Sequence, residues 1–430
     1  MLDRLLTELR DNLARLDAQS LRRQLTPRPA AGRIVHVDGQ PLINLAANDY
    51  LALSQHPHLK QAAITAIDQF GTGATASRLV TGHLAAHHAL EQRFTTFKHP
   101  PTSRPDDFNR PAPPRITHTS PYASLLLPTG YMANLAVLTT LAGPGDLIAL
   151  DKLTHASLID AARATSADVR TYPHLHLPKL ERLLARHVAR PTPHASRPPR
   201  RFIVTDAVFS MDGDTADLPA LADLADRYDA LLIVDEAHTT GVLGDTGAGL
   251  AEAQGVAHRV PITISTASKA LGGLGGLVTA PRPVIDTLVN HARSFIYTTA
   301  VPPAQVAAID AALDVVRDEP WRRERLAALC RRLRVALREQ GWPLPAASHP
   351  TPIVPLTVGP ADAALALADH LQSAGFLAVA IRPPTVAPNT ARVRLSLRAD
   401  LEDHDLDRLL TALADAPIQP PPTAQPKPTV

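Results

Sequence analysis

Cysteine is almost absent from this chain, with Cys330 the single example in 430 residues. One thiol excludes an internal disulfide and fits a reducing compartment. It lies in the Arg-rich helical stretch 321–340, where a packed thiol is expected rather than a nucleophile. Aromatic residues make up only 4%, so packing must rely on aliphatic side chains. No stretch approaches the ~18 consecutive apolar residues that a bilayer span requires. Charge of one sign is also lacking: 43 basic against 41 acidic residues leave +2, no bulk field for a nucleic acid or a membrane surface. The first 25 residues read as an amphipathic helix carrying Asp3, Glu8, Asp11 and Asp17, without the apolar core of a signal peptide and with too many acids for a transit peptide. A cytoplasmic location is expected.

What is present is a rhythm. After a Pro-containing link and a hairpin expected at Asp38-Gly39, short apolar runs alternate with Ala-rich helices. Strands are expected at 124–127, 147–150, 201–205, 231–234, 262–265 and 276–279, with helices at 134–141, 156–164, 177–188 and 219–228. Strand and helix alternating in this way predict a largely parallel sheet covered on both faces. A helix over 303–318 leads to a second α/β unit with strands near 353–357, 377–380 and 392–397. The expected division is an N-terminal helix and arm over 1–49, a large domain over 50–300, a small C-terminal α/β domain over 301–416 and a Pro-rich disordered tail over 417–430. The segments 99–121 and 190–200, rich in Pro and Arg, read as inserted surface loops.

Three pieces carry chemistry. Leu231-Leu232-Ile233-Val234-Asp235-Glu236-Ala237-His238 is an apolar strand ending in an acid, with a His three residues later. In open α/β sheets the ligand crevice lies beyond the carboxyl ends of the strands. A carboxylate there suits the ring nitrogen of a pyridine cofactor, and a His suits its ring hydroxyl. The competing reading, the acidic motif of an ATPase, needs a Gly-Lys phosphate loop upstream, and the chain contains no Gly-Lys pair. In the second piece, Ser265–Gly276, Lys269 follows an apolar strand and is ringed by small residues. Of the six lysines (60, 98, 152, 179, 269 and 427), the other five are read as lying in polar surroundings or in the tail. Burial lowers an amine's pKa and makes it a Schiff-base nucleophile. The third piece, Leu125–Asn134, runs from a strand through Gly130 into a helix whose first amides suit a phosphate. No metal site is expected.

In this order the pieces resemble the α-oxoamine synthases, a branch of the aspartate-aminotransferase-like (type I) pyridoxal-phosphate enzymes. Further matching runs are Asn48-Asp49-Tyr50-Leu51, Gly71–Gly82, Thr154–Leu158, Val208–Asp214, Tyr297-Thr298-Thr299 and Ile381–Arg394. The likeness spans roughly residues 20–415. The run Ala380–Val386 is most similar to the branch of biotin biosynthesis, which joins L-alanine to a pimeloyl thioester. Glycine C-acetyltransferase and the serine/long-chain acyl-CoA enzymes are the alternatives within the family. A non-catalytic relative would be expected to lack the lysine.

The resemblance implies a type I pyridoxal-phosphate transferase fold, pyridoxal 5'-phosphate as cofactor, and a homodimer with shared sites. It implies Lys269 as the Schiff-base lysine, Asp235 at the ring nitrogen, His238 at the ring hydroxyl and His155 stacked on the ring. Ser210 and Thr266 would line the pocket, Gly130 and Tyr131 would meet the phosphate, and Thr298 and Thr299 the phosphate of the neighbouring subunit. Arg394 would hold the amino-acid carboxylate, with Asn48, Arg22 and Arg382 as further substrate contacts. Two departures stand out. Asp206 occupies a place where many relatives have Glu, and the insertion at 99–121 is extra.

Overall fold

The structure is a computed structural model that describes residues 1–28, 32–100, 120–188, 197–418 and 420. The inserted loops and the tail expected from sequence lie mostly outside the described residues. Two compact units are present: a smaller one of Met1–Ala52, Ser210–Asp214 and Glu324–Val430, and a larger one of Leu53–Phe209 and Thr215–Arg323.

In chain order the elements begin with α1 (Leu2–Ala18), β1 (Ile34–Val37), β2 (Gln40–Asn44), α2 (Pro57–Phe70) and α3 (Ala85–Lys98). The alternating stretch follows: β3 (Tyr122–Leu127), α4 (Gly130–Leu141), β4 (Leu147–Asp151), α5 (Ala156–Arg163), β5 (Asp168–Tyr172), α6 (Leu177–Val188), β6 (Arg201–Asp206), α7 (Leu218–Arg227) and β7 (Ala230–Asp235). Then come α8 (Leu250–Ala253), β8 (Ile262–Thr266), β9 (Gly276–Pro281), α9 (Arg282–His291), α10 (Arg293–Ile296), α11 (Pro303–Asp318) and α12 (Trp321–Glu339). The chain closes with β10 (Ile353–Gly359), α13 (Ala361–Ser373), β11 (Phe376–Leu377), β12 (Val379–Ile381), β13 (Ala391–Ser396) and α14 (Asp403–Ala414).

The larger unit is built on a seven-stranded sheet of order β3-β9-β8-β7-β6-β4-β5. Strands β5, β4, β6, β7 and β8 run parallel, and β9 runs against both β8 and β3. The parallel strands need helical crossovers, which explains the alternation seen in the sequence. Leu127, Ile148, Val204, Ile233 and Val278 are fully buried in one cluster with Val137, Leu138 and Leu158 from α4 and α5. Each such side chain contributes about 1.5–3 kcal/mol of burial. Strand β5 is not anticipated by the sequence. Its residues Asp168-Val169-Arg170-Thr171-Tyr172 bury fully only at Tyr172, because an edge strand keeps its polar side chains in water. Helix α11 packs on α2 and α3 inside the larger unit, so the units divide differently from the expected boundary at residue 300.

In the smaller unit, β1 and β2 form the expected hairpin, with Asp38 at φ 50° and Gly39 at φ 78°. Two successive left-handed residues match the twist of a two-residue turn. Strand β11 extends this pair in parallel, and β10, β13 and β12 form a separate antiparallel sheet. The N-terminal helix stops at Ala18 rather than near residue 25. Ser20 takes φ 55°, and the amides of Leu21 and Arg22 turn back to the Leu16 carbonyl, which ends the helical ladder. Among the described residues no helix is long and apolar enough to cross a membrane.

Candidate active site

In the larger unit, β6 and β7 end side by side in Asp206 and Asp235, which are register partners. Both side chains are buried. One Asp235 carboxylate oxygen accepts the Ala237 amide at 2.9 Å, and the other accepts the Asn134 side-chain amide at 2.7 Å. The chain then turns, with the Thr239 and Thr240 amides donating to the Glu236 carbonyl, and this turn carries the buried His238. Lys269 stands three residues beyond the end of β8, and its Nζ lies 3.0 Å from Nε2 of His238. Lys269, Asp235 and His238, read from sequence as one set, are thus brought together by the ends of two adjacent parallel strands.

His155 caps α5. Its Nδ1 accepts from the Ser157 amide at 3.3 Å and lies 2.7 Å from Ser157 Oγ, while its own amide donates to Asp206 at 2.8 Å. Burial lowers the imidazole pKa; Asp235 pulls it up, Lys269 pushes it down and Asp160 raises it. Burial also drives Asp206 well above the usual carboxylate range, helped by the charge of Asp235 and opposed by the His155 amide and by Lys269. The rung shared by two acids therefore holds a proton on Asp206 more readily than an isolated carboxyl would.

The turn from β3 into α4 supplies the third corner. Thr129 caps the helix by accepting the Met132 amide, which leaves the amides of Gly130 and Tyr131 at its start. The Thr266 hydroxyl lies 2.8 Å from Ser268 Oγ, and a Cβ on Gly130 would come within 3.5 Å of it. Gly276 has a packing reason not visible in sequence: a Cβ there would sit 2.3 Å from the Thr129 carbonyl oxygen. Gly272, at φ 65°, likewise leaves room for the backbone of Leu53 and Ser54. These two glycines serve close backbone approach. Thr299 is exposed and bridges to Ser77; Thr298 beside it is half-buried.

Elimination among the lysines failed at one place. Lys98, expected in polar surroundings, is buried at the end of α3 and pairs with the fully buried Glu236, while also donating to the Ala248 carbonyl. Glu236 further accepts the Ala251 amide at 2.9 Å. A buried acid directly after the Asp235 position required a cation, and that requirement was the available signal.

In the smaller unit, Arg394 on β13 donates to Asn48 at 2.7 Å and to the Tyr50 hydroxyl at 3.3 Å, and its Nε is buried without a partner among the described residues. Burial pushes Tyr50 up to about 12, against the pull of Arg394. Arg382 donates to the Ser20 carbonyl and Arg23 to Thr385, so the segments carrying Arg22 and Arg382 meet. Arg22 itself forms an exposed ion pair with Asp17 at 2.6 Å. Ser210 is half-buried in this unit. Asn134, Ser157 and Tyr50 fall inside runs singled out from sequence but carry no role in that reading; each is a hydrogen-bonding neighbour of a named site residue.

An amine beside an imidazole, an acid at a strand end, and a capped helix start flanked by hydroxyls form a donor set suited to an aldehyde, a ring nitrogen and a phosphate. Among the described residues no cluster of His, Cys, Asp and Glu could hold a metal ion. The family model for aminotransferases of class I and II matches residues 40–413. An 8-amino-7-oxononanoate synthase of Anaeromyxobacter sp. (strain K) is 42% identical over 416 residues, covering 96% of each chain. The same-named protein of Francisella tularensis has a solved structure with a TM-score of 0.69 at 26% identity, covering 87% of this chain and 97% of that one. Serine palmitoyltransferase from S. paucimobilis, solved with a bound PLP–myriocin aldimine, reaches a TM-score of 0.83 at 25% identity over 95% and 96% of the two chains. With these matches along nearly its whole length, the chain belongs to the aminotransferase class I and II family, among the 8-amino-7-oxononanoate synthases.

Proposed function

We propose that this protein joins L-alanine to a pimeloyl thioester, on CoA or on a carrier protein, releasing carbon dioxide and the free thiol and forming 8-amino-7-oxononanoate. The observation that carries this reading is the Lys269 amine 3.0 Å from His238, after the strand next to the one that ends in Asp235, in a chain of this family. Pyridoxal 5'-phosphate is the cofactor this donor set fits, and when bound it supplies a sink for the electron pair left at the alanine Cα.

Lys269 would hold the cofactor's aldehyde carbon. Asp235 would face the ring nitrogen, His238 the ring hydroxyl and His155 the ring face. The amides of Gly130 and Tyr131 and the hydroxyl of Thr266 would bind the phosphate, and Ser210 would line the pocket. Thr298 and Thr299 would reach the phosphate of a second copy of the chain, which makes the working form a homodimer with shared sites. Arg394, kept in place by Asn48, would grip the alanine carboxylate, and Arg22 and Arg382 would lie toward the acyl substrate.

In the reaction the alanine Cα–H bond breaks, and the Lys269 amine would take that proton. A carbon–carbon bond then forms between Cα and the thioester carbonyl, and the carbon–sulfur bond breaks. The bond from Cα to the carboxylate breaks last, carbon dioxide leaves, and a proton returns to the same carbon. His155, its pKa lowered by burial, is available as a neutral hydrogen-bonding group through these steps.

The test is direct. Carbon dioxide release is measured with alanine, glycine and serine, each against pimeloyl-CoA and longer and shorter acyl-CoAs. Alanine with pimeloyl-CoA is expected to be the fastest pair. Lys269→Ala is expected to fold normally and lose turnover and borohydride trapping of the cofactor. A protein that stayed colourless with the cofactor would overturn the reading.

A further inference from the structure

Asn134 lies on α4 and is 1% exposed. Its side-chain NH2 donates one hydrogen to Asp235 at 2.7 Å and the other to Ser157 Oγ at 2.8 Å. The orientation follows from chemistry, because turning the amide over would aim its oxygen at a carboxylate oxygen. What remains is an amide oxygen buried without a partner among the described residues, a cost that the opposite end of the group must offset. Ser157 Oγ, having accepted from Asn134, has its own hydrogen left for His155 Nδ1 at 2.7 Å, which also receives the Ser157 amide at 3.3 Å. Two donors on Nδ1 leave the ring proton on Nε2. At the other end of the chain of bonds both Asp235 oxygens accept, one from Asn134 and one from the Ala237 amide.

We propose that Asn134 and Ser157 are positioning residues that couple the two groups meant to grip the cofactor ring, holding His155 as the neutral Nε2–H tautomer and Asp235 as an acceptor on both oxygens. This rests on the cofactor reading above and extends it to residues outside the predicted set. The charged and titratable groups acting on this pair come from three other places, Asp206 on β6, Asp160 on α5 and Lys269 after β8, and His238 after β7 stands beside Lys269. None of them contacts Asn134 or replaces its two hydrogen bonds among those described.

The test uses the full-length holoenzyme and the variants Ser157→Ala, Ser157→Thr, Asn134→Ala and Asn134→Leu. The visible spectrum of the bound cofactor is titrated with pH, and cofactor affinity is measured by fluorescence quenching on the apoprotein, whose thermal melting is recorded alongside. Ser157→Ala is expected to shift the spectral titration by about one pH unit and weaken cofactor binding about tenfold. Ser157→Thr, which keeps a hydroxyl, is expected to restore both, and the Asn134 variants to shift the titration further. If an Asn134 variant fails to fold, the serine pair alone decides. Unchanged spectra and affinity in a folded Ser157→Ala protein would overturn the proposal. A wild-type chain that binds no cofactor would instead remove the reading beneath it, and this proposal with it.

Discussion

The grouping of Lys269, Asp235 and His238 could be read from sequence because each sits at or just past the end of an apolar strand, and strand ends converge in a parallel sheet. Lys98, Asn134 and Ser157 could not, because their importance is a matter of which element lies across from them. The Lys98–Glu236 pair has 3% and 0% of its side-chain surface exposed. Lys98→Met should therefore destabilise the apoprotein by about 3–5 kcal/mol, since it strands a buried carboxylate. Adding Glu236→Gln should recover part of that loss, and urea unfolding of the single and double variants measures both. On the substrate side, Arg394→Lys should raise the KM for alanine about 10–100-fold with a smaller change in kcat, because a point charge cannot make a two-pronged contact. Steady-state kinetics with alanine varied would check it.

At the level of elements, the apolar alternation located six of the seven strands of the large sheet, within a residue or two of their ends. The seventh, β5, carries too little apolar signal because Tyr172 is its only fully buried residue, whereas β3 at the opposite edge is buried along nearly its whole length. The expected extension of α1 failed for a local reason, the left-handed Ser20. Helix α3 makes a testable case of its own. His87, fully buried, donates from Nε2 to the Val301 carbonyl at 2.8 Å and accepts the Leu84 amide on Nδ1 at 3.2 Å. Both nitrogens are committed in the neutral form, and burial, with Arg78 nearby, lowers the group to about 4. A lowered histidine is charged first in the unfolded chain. Its stabilisation is thus complete above the ordinary value near 6.5 and is lost as pH falls toward 4. The loss is expected to be about 2–3 kcal/mol over that window, and His87→Gln should flatten the slope when unfolding is followed by denaturant at several pH values.

For the molecule as a whole, the proposed sharing of sites predicts complementation. Mixing an inactive Lys269→Ala protein with an inactive Thr298→Ala/Thr299→Ala protein, under conditions that exchange subunits, should restore about half of normal activity per hybrid dimer and about a quarter in the whole mixture. Activity that never rises on mixing would place all of these residues in one chain's site. Sequence reading could reach the dimer only through resemblance, because the surfaces of a single chain do not name their partner. The division into two units was the least legible feature, since apolar periodicity marks elements but not which core they join. That division has an implication for synthesis. The chain passes between units at 52/53, 209/210, 214/215 and 323/324, so the larger unit is fully translated once Arg323 is made, while the smaller still lacks everything from Glu324 onward. On the ribosome Val35, Val37 and Leu42 must therefore wait, their shared apolar face incomplete, until Leu377 is made.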